Sequence, residues 1–381
     1  MNQIDRLFNA AVAGVKAVKG RAAVLSEANG KFAIQDVSLQ EPRSDEVLVR
    51  IVGVGVCHTD VVCKGAFPVP MPIVLGHEGS GIVEAVGTDV SDITVGDHVV
   101  LSFGSCGGCP NCMKSHPAYC YNFMAKNFAS TRDDGSTPMY RGEQPINARF
   151  FSQSSFATHV IANQRNTVVV PKSDKLALLG PLGCGIQTGA GAILNSLAVG
   201  KGDKVVIFGG GSVGLSAVMG AKIADASMII LVEPVAKRRQ LALEVGATHV
   251  IDPKAESDVA AAIKAISGGA THALDTTGIP TVIATAHSTL LPMGRLGLLA
   301  FAPPEASLPL NIMDMLVRGV TVKMITEGDS DPKTFIPELI EYYREGKLPI
   351  EKLYSQYSFE FINEAFADAE EGKVIKPLLV I

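Results

Sequence analysis

Two short stretches hold side chains that can do chemistry together: Cys57-His58-Thr59-Asp60 and Gly76-His77-Glu78. A thiolate and an imidazole are both donors for zinc. As a pair they say little, because a cysteine and a histidine at this separation are more often packed in a core. Cys184, set in Gly183-Cys184-Gly185, adds a third donor. Cys57, His77 and Cys184 together fit a Cys2His site, which leaves one coordination position for water or substrate, as catalytic zinc requires.

A second metal pattern is more self-contained. Cys106, Cys109, Cys112 and Cys120 follow each other at spacings of two, two and seven residues. Four thiolates at such spacing close a tetrahedral shell and leave no open position, which describes a structural zinc. His116 lies inside the loop and is an alternative donor to one of the thiols. A nucleic-acid-binding zinc ribbon is disfavoured by the shortage of basic residues around the knot. The expectation is two zinc ions per chain, one catalytic and one structural.

The third motif is Gly209-Gly210-Gly211-Ser212-Val213-Gly214, preceded by the apolar run Val205-Val206-Ile207-Phe208. Gly209 allows a tight turn, Gly211 lets the backbone approach a pyrophosphate, and Gly214 lets helix and strand pack closely. The N–H groups of Ser212 and Val213 then open a helix toward the phosphates. Glu233, at the end of the next apolar run, suits the two hydroxyls of an adenosine ribose and repels a 2′-phosphate. Arg238 and Arg239 favour the opposite choice. Glu233 stands where that phosphate would go, so NAD is the expected cofactor.

These groups need a scaffold. The chain has 381 residues, 47% of them apolar, enough for two domains. Up to about residue 170 the pattern is of short strands, such as 47–52, 81–86 and 98–101, punctuated by Gly, Pro and Asp. From about residue 186 strands alternate with helices: strands at 204–208, 228–232, 250–251, 273–274, 296–301 and 320–324, helices at 212–223, 235–245 and 258–266. That order predicts a doubly wound parallel sheet. After residue 330 two amphipathic helices and a last strand follow a sheet that is already complete, so the tail is expected to return to the first domain. The net charge of −5 with both signs interspersed excludes a polyanion-binding surface. Residues 176–200 are uncharged but interrupted by glycine, and so are read as buried rather than membrane-spanning. The apolar patch from Ala10 to Val15 is too short for a signal sequence. Seven cysteines without an export signal point to reduced thiols and a cytoplasmic location.

Taken together, the motifs resemble the zinc-dependent medium-chain alcohol dehydrogenases. The resemblance rests on Gly76-His77-Glu78 with Gly79 and Gly81, on Gly96-Asp97-His98-Val99, on the four-cysteine lobe, on Gly183-Cys184-Gly185 and on the glycine fingerprint. It runs from about residue 18 to the end and leans toward the aryl- and allyl-alcohol branch. It implies an α/β protein: a β-rich, GroES-like catalytic domain over residues 1–185 and 325–381, with the structural zinc lobe at 104–122, and a Rossmann domain over 186–324. It implies that Cys57, His77 and Cys184 hold the catalytic zinc, with Glu78 near enough to exchange onto it. Asp60 is expected to orient His77, as metal-bound imidazoles require. Thr59 takes the alcohol proton, His58 and Lys376 lie near the cofactor phosphates, and Thr188 and Val213 pack on the nicotinamide. Many relatives place a proton-relaying histidine where this chain has Val62.

The expected reaction is reversible hydride transfer from a primary aromatic or allylic alcohol to NAD. Phe67 and Phe103 are candidate pocket walls. S-(hydroxymethyl)glutathione dehydrogenase is the alternative enzyme, and a non-catalytic nucleotide-binding structural or sensor protein is the alternative from another class. The expected partners are a small alcohol or aldehyde and further copies of the chain in a homodimer or homotetramer, with no nucleic acid and no membrane.

Overall fold

The computed structural model describes residues 18–65, 67–300 and 306–381. The patch at residues 10–15 and Phe301, the expected end of a strand, lie outside these. Strand Glu46–Gly55 is the hub of the antiparallel part. It pairs with Gly79–Val86 and His159–Asn163, and its far end pairs with Lys376–Val380. Val47, Leu48, Val49, Ile51 and Val54 are buried on both faces, which explains a near-continuous apolar run instead of strict alternation. Seven strands form this sheet, and five more form a second sheet in the order 73–74, 18–25, 33–39, 139–141 and 144–146.

The other sheet is wholly parallel. Its order across the sheet is 249–251, 228–232, 204–208, 270–275, 290–298 and 321–324. The first strand in sequence, Lys204–Phe208, lies in the middle, with later strands added on one side and then the other. The crevice at its carboxyl end is the switch point where doubly wound sheets bind ligands, and Gly209 begins there. The expected helix at 212–223 is Ser212–Ile223, and the one expected from residue 235 begins at Ala236.

Among the described residues no single helix is long and apolar enough to cross a membrane. Leu176–Gly183 and Gly185–Ser196 are apolar together, but they bend by 57° at Cys184. The bend leaves Cys184 outside both helices and turns its thiol into a ligand position. Two segments add elements beyond the short strands expected. Residues 104–150 contain helices Pro110–Met113 and Phe123–Phe128 and a hairpin at Met139–Ile146. The polar stretch Tyr354–Ser358 is a strand because it pairs in parallel with Lys376–Val380.

Candidate active site

One carboxylate joins the two stretches that carry Cys57 and His77. Helix His58–Gly65 begins just after Cys57, and Asp60 sits in its first turn. Asp60 Oδ2 accepts the N–H of Cys57 at 3.0 Å, while Oδ1 accepts the N–H of Gly76 at 3.0 Å and faces His77 Nδ1 at 3.0 Å. Gly76 has φ +88°, and a Cβ there would meet the Phe156 nitrogen at 2.6 Å, so this turn requires glycine. The His77 ring is buried, stacked on Phe151 with centroids 4.4 Å apart and edged by Phe150.

With Nδ1 held on Asp60, His77 Nε2 points inward and has no hydrogen-bond partner. A buried polar atom left so costs about 1–3 kcal/mol. The donor atoms of Cys57, His77, Glu78 and Cys184 all lie within 4.8 Å of one another. Two thiols and an orphaned imidazole nitrogen around one point fit zinc. The hydrogen bond from Cys184 holds the Cys57 thiol well below its usual range, helped against burial by Lys376 and His77. Cys184, the donor in that bond and desolvated beside Glu327, is pushed well up. Burial pulls His77 down, but Asp60 and Cys57 outweigh it and raise it well above the usual histidine range. Metal loading at this site therefore releases protons.

Glu78 lies behind the cluster. Its Oε1 accepts from Lys376 Nζ at 2.6 Å and from the N–H of Gly185 at 3.0 Å, and its Oε2 is buried without a partner. Burial raises Glu78 to about 7 in spite of Lys376. Lys376, expected near the cofactor phosphates, has its ammonium buried on Glu78, and a Cβ placed on Gly185 would lie 3.3 Å from that nitrogen and 3.6 Å from Ser212 Oγ, beside the start of the fingerprint helix. A fully buried ammonium needs a counter-charge, and the pairing of the last strand with Glu46–Gly55 brings Glu78 to it.

A cleft of about 1460 Å³ runs from this cluster to the glycine fingerprint. His58, Thr59, Thr188, Gly209, Gly211, Ser212, Val213, Gly214, Glu233 and Arg238 all line it. Thr59 Oγ1 lies 3.9 Å from Cys57 Sγ. Val61 lines the cleft and Val62 does not. Near the metal cluster the walls are Phe123, Met124, Phe128, Phe151, Met324 and Ile325. Phe67 and Phe103, the expected walls, pack in the core of the antiparallel part instead.

At the other end a Cβ on Gly214 would lie 1.9 Å from the Gly209 carbonyl oxygen, whereas one on Gly211 would meet nothing within 4 Å. The third glycine therefore serves packing, and the second faces the open cradle. Glu233 Oε2 accepts from Gly210 N at 2.6 Å and Oε1 from Val235 N at 2.8 Å, which holds the carboxylate at the end of its strand. Arg239 is engaged by Asp252 and by the Glu233 carbonyl, while Arg238 lines the cleft with its Nε unpartnered.

In the lobe, whose Tyr119 and Cys120 also line the cleft, the sulfur atoms of Cys106, Cys109, Cys112 and Cys120 lie within 4.8 Å of one another. Backbone N–H groups point at two of them: Cys106 N and Asn122 N at Cys120 Sγ, and Cys109 N at Cys106 Sγ. His116 is not in this group. Four converging thiols with N–H donors to sulfur fit a closed zinc site.

The alcohol dehydrogenase GroES-like domain family matches residues 43–172, and the zinc-binding dehydrogenase family matches residues 212–342. The geraniol dehydrogenase of Castellaniella defragrans is 51% identical over 365 residues, covering 95% of this chain and 98% of that protein. The chain belongs to the zinc-dependent medium-chain alcohol dehydrogenases. Two solved structures agree. The alcohol dehydrogenase zinc-binding domain protein of Burkholderia ambifaria has a TM-score of 0.94 at 45% identity, covering 96% of this chain and all of that one. The benzyl alcohol dehydrogenase of Acinetobacter calcoaceticus has a TM-score of 0.92 at 42% identity, with 96% and 99% covered. The geraniol and benzyl alcohol dehydrogenases belong to the aryl- and allyl-alcohol branch that the motifs implied.

One group in this dehydrogenase's cleft was missed by sequence reasoning. Glu327 is buried at the inner end, with Oε1 3.7 Å from Cys184 Sγ and Oε2 within 3.4 Å of the Thr188 hydroxyl and 3.3 Å of Gln187 Nε2. Burial raises it to about 7. It sits in a turn in which Glu327, Gly328 and Asp329 all have positive φ, of 50°, 65° and 52°. Left-handed conformation costs a residue such as glutamate roughly 1–2 kcal/mol, whereas aspartate tolerates it better, so the surroundings must hold Glu327 there. No local motif announces this. The one available signal was an acidic residue in the otherwise uncommitted segment between the last parallel strand and the helix starting at Pro332.

Proposed function

We propose that this enzyme oxidises a hydrophobic primary alcohol, aromatic or allylic, to its aldehyde with NAD, reversibly. The observation that carries the reading is the single cleft joining the Cys57–His77–Cys184 cluster to the glycine fingerprint and Glu233. When bound, zinc supplies Lewis acidity toward the alcohol oxygen and NAD takes the hydride. Cys57, His77 and Cys184 would hold the metal, with Asp60 fixing the imidazole. Thr59 Oγ1, on the cleft wall beside Cys57, takes the hydroxyl proton as it gives up its own toward water in the cleft, and so orients the carbinol carbon. The aromatic and methionine side chains exclude water and favour a hydrophobic substrate. Glu233 selects NAD over its 2′-phosphorylated form. The similarity to geraniol and benzyl alcohol dehydrogenases supports this substrate class.

S-(hydroxymethyl)glutathione is disfavoured as substrate. Its carboxylates call for basic partners, and Arg238 and Lys254, the lysine and arginine lining the cleft, belong with the nucleotide-end residues. We divide the chain as the sequence implies, with residues 186–324 as the NAD-binding domain. A homodimer or homotetramer is supported by the exposed apolar face of helix Ile312–Arg318, where Ile312 is 81% and Val317 78% exposed. Seven unpaired cysteines favour the cytoplasm. The test is initial rates with benzyl, allylic and short aliphatic alcohols and with S-(hydroxymethyl)glutathione, using NAD and NADP. Faster turnover of the short aliphatic alcohols or of the glutathione adduct would overturn the substrate reading.

A further inference from the structure

We propose that Tyr119 is a positioning residue through which the four-cysteine lobe sets the inner end of the cleft. The inference rests on the reading of that cleft as an alcohol and nicotinamide site. Tyr119 directly precedes Cys120, and its own carbonyl accepts from Asn111 Nδ2 at 2.8 Å, so its backbone is tied into the lobe. Its hydroxyl leaves the lobe and spans more than two hundred residues of sequence. There it donates to the Asp329 carboxylate, accepts the N–H of Thr326 at 3.3 Å and lies 3.2 Å from the Met324 carbonyl oxygen.

Thr326 and Asp329 flank Glu327, so the tyrosine grips both ends of the left-handed turn. Lys323 pairs with the second oxygen of Asp329 and completes the grip from outside. On its inner face the turn presents Glu327 to Cys184 Sγ, the Thr188 hydroxyl and Gln187. Ser330, the next residue on, donates to Gln187 Oε1 at 3.0 Å. The path therefore runs from the lobe to Tyr119, from Tyr119 to the turn, and from the turn to a metal-cluster cysteine and to the threonine beside it. Packing alone would be served by phenylalanine at 119. Only a hydroxyl makes the three polar contacts. The four-cysteine metal then orders the active site as well as its own loop.

The test compares the full-length enzyme with Tyr119→Phe, Glu327→Gln and the double variant. Zinc content, kcat and KM with benzyl alcohol and NAD are measured, along with the visible spectrum after cobalt replaces zinc at the Cys57–His77–Cys184 site. Tyr119→Phe should keep the four-cysteine zinc. Its kcat should fall about tenfold, the scale of one lost hydrogen bond to a charged group, with KM for NAD within about twofold. Its thiolate-to-cobalt absorption should shift as Glu327 moves off Cys184. The double variant should be no slower than the slower single one, because the two residues act in series. The proposal fails if Tyr119→Phe keeps wild-type kcat and spectrum, if the two losses multiply, or if the variant loses the lobe zinc, which would make Tyr119 a lobe-stability residue. If the wild type turned over no alcohol, the functional reading would fall, and the cobalt spectra and zinc content would still decide the role of Tyr119.

Discussion

Replacing Asp60 by asparagine tests how the site is held together. The carboxylate accepts from three nitrogens, all at 3.0 Å: Cys57 N on one oxygen, Gly76 N and His77 Nδ1 on the other. Asparagine keeps one oxygen. If it faces His77 and Gly76, the new NH2 group opposes the N–H of Cys57, donor against donor. If it faces Cys57, the NH2 opposes the other two. Either way at least one charge-assisted hydrogen bond is lost in a site with no solvent access. Such a bond is worth about 1.5–3 kcal/mol. At roughly 1.4 kcal/mol per factor of ten, zinc affinity at the His77 site should fall about 10- to 100-fold, within the range for residues that orient metal-bound histidines. Competition against a chromogenic chelator measures this, with the four-cysteine zinc as an internal control. The expected result is selective early release of one zinc. Unchanged release, or parallel weakening at both sites, would refute the idea that Asp60 orients the ligands.

Three further outcomes are expected. Val62→His should alter the pH dependence of kcat for alcohol oxidation by adding a titrating group beside the Thr59 helix turn; a superimposable profile would show that position 62 has no part in the proton path. Glu233→Ser should raise kcat/KM for NADP relative to NAD by at least about 100-fold, since a phosphate charge about 4 Å from a carboxylate costs on the order of 4 kcal/mol near a protein surface; an unchanged ratio would dissociate Glu233 from cofactor choice. Glu46 is buried between Arg132, at 2.7 Å, and Arg149, at 3.4 Å. Burial raises its pKa, but the two arginines and the N–H of Arg43 outweigh this and leave it lowered. A carboxyl lowered on folding adds stability above its unfolded pKa, about 4.3, and loses it as pH falls through the folded value. Wild-type Tm should therefore drop on acidification through that window more steeply than the Tm of Glu46→Gln; parallel melting curves across that range would contradict the assignment.

What the sequence showed and what it hid follow from the range of the interactions. The strands Lys204–Phe208 and Met228–Val232, helix Ser212–Ile223 and the glycine fingerprint were legible because each is specified by neighbours within a few residues. The four lobe thiols converge because their short spacing leaves few other arrangements, whereas Cys57, His77, Glu78 and Cys184 converge only through the tertiary fold. The pairing of Lys376 with Glu78 was hidden because the two lie 298 residues apart and only strand pairing brings them together. Tyr354–Ser358 carries no apolar alternation and is a strand only because a neighbour is there to pair with it. Phe67 and Phe103 have the right chemistry for a pocket wall, but composition does not say which aromatic faces the cleft.

The inner end of the cleft shows why long-range contacts matter more here than local propensity. Asp60, Glu78 and Glu327 surround the metal cluster, and each is held by groups from a separate part of the chain. Asp60 is fixed by Cys57 and Gly76 of the antiparallel part, Glu78 by Lys376 of the last strand, and Glu327 by the 184–188 bend. Local preference would favour glycine, asparagine or aspartate where φ is positive, so Asp329 suits its place and Glu327 does not. The turn nevertheless carries Glu327, and the contacts that hold it come from the lobe on one side and the cluster on the other. Strain of this kind persists only where the surroundings over-determine the backbone. An acidic residue in an unfavourable conformation between two metal sites is therefore better explained by the groups it touches than by its own sequence neighbours.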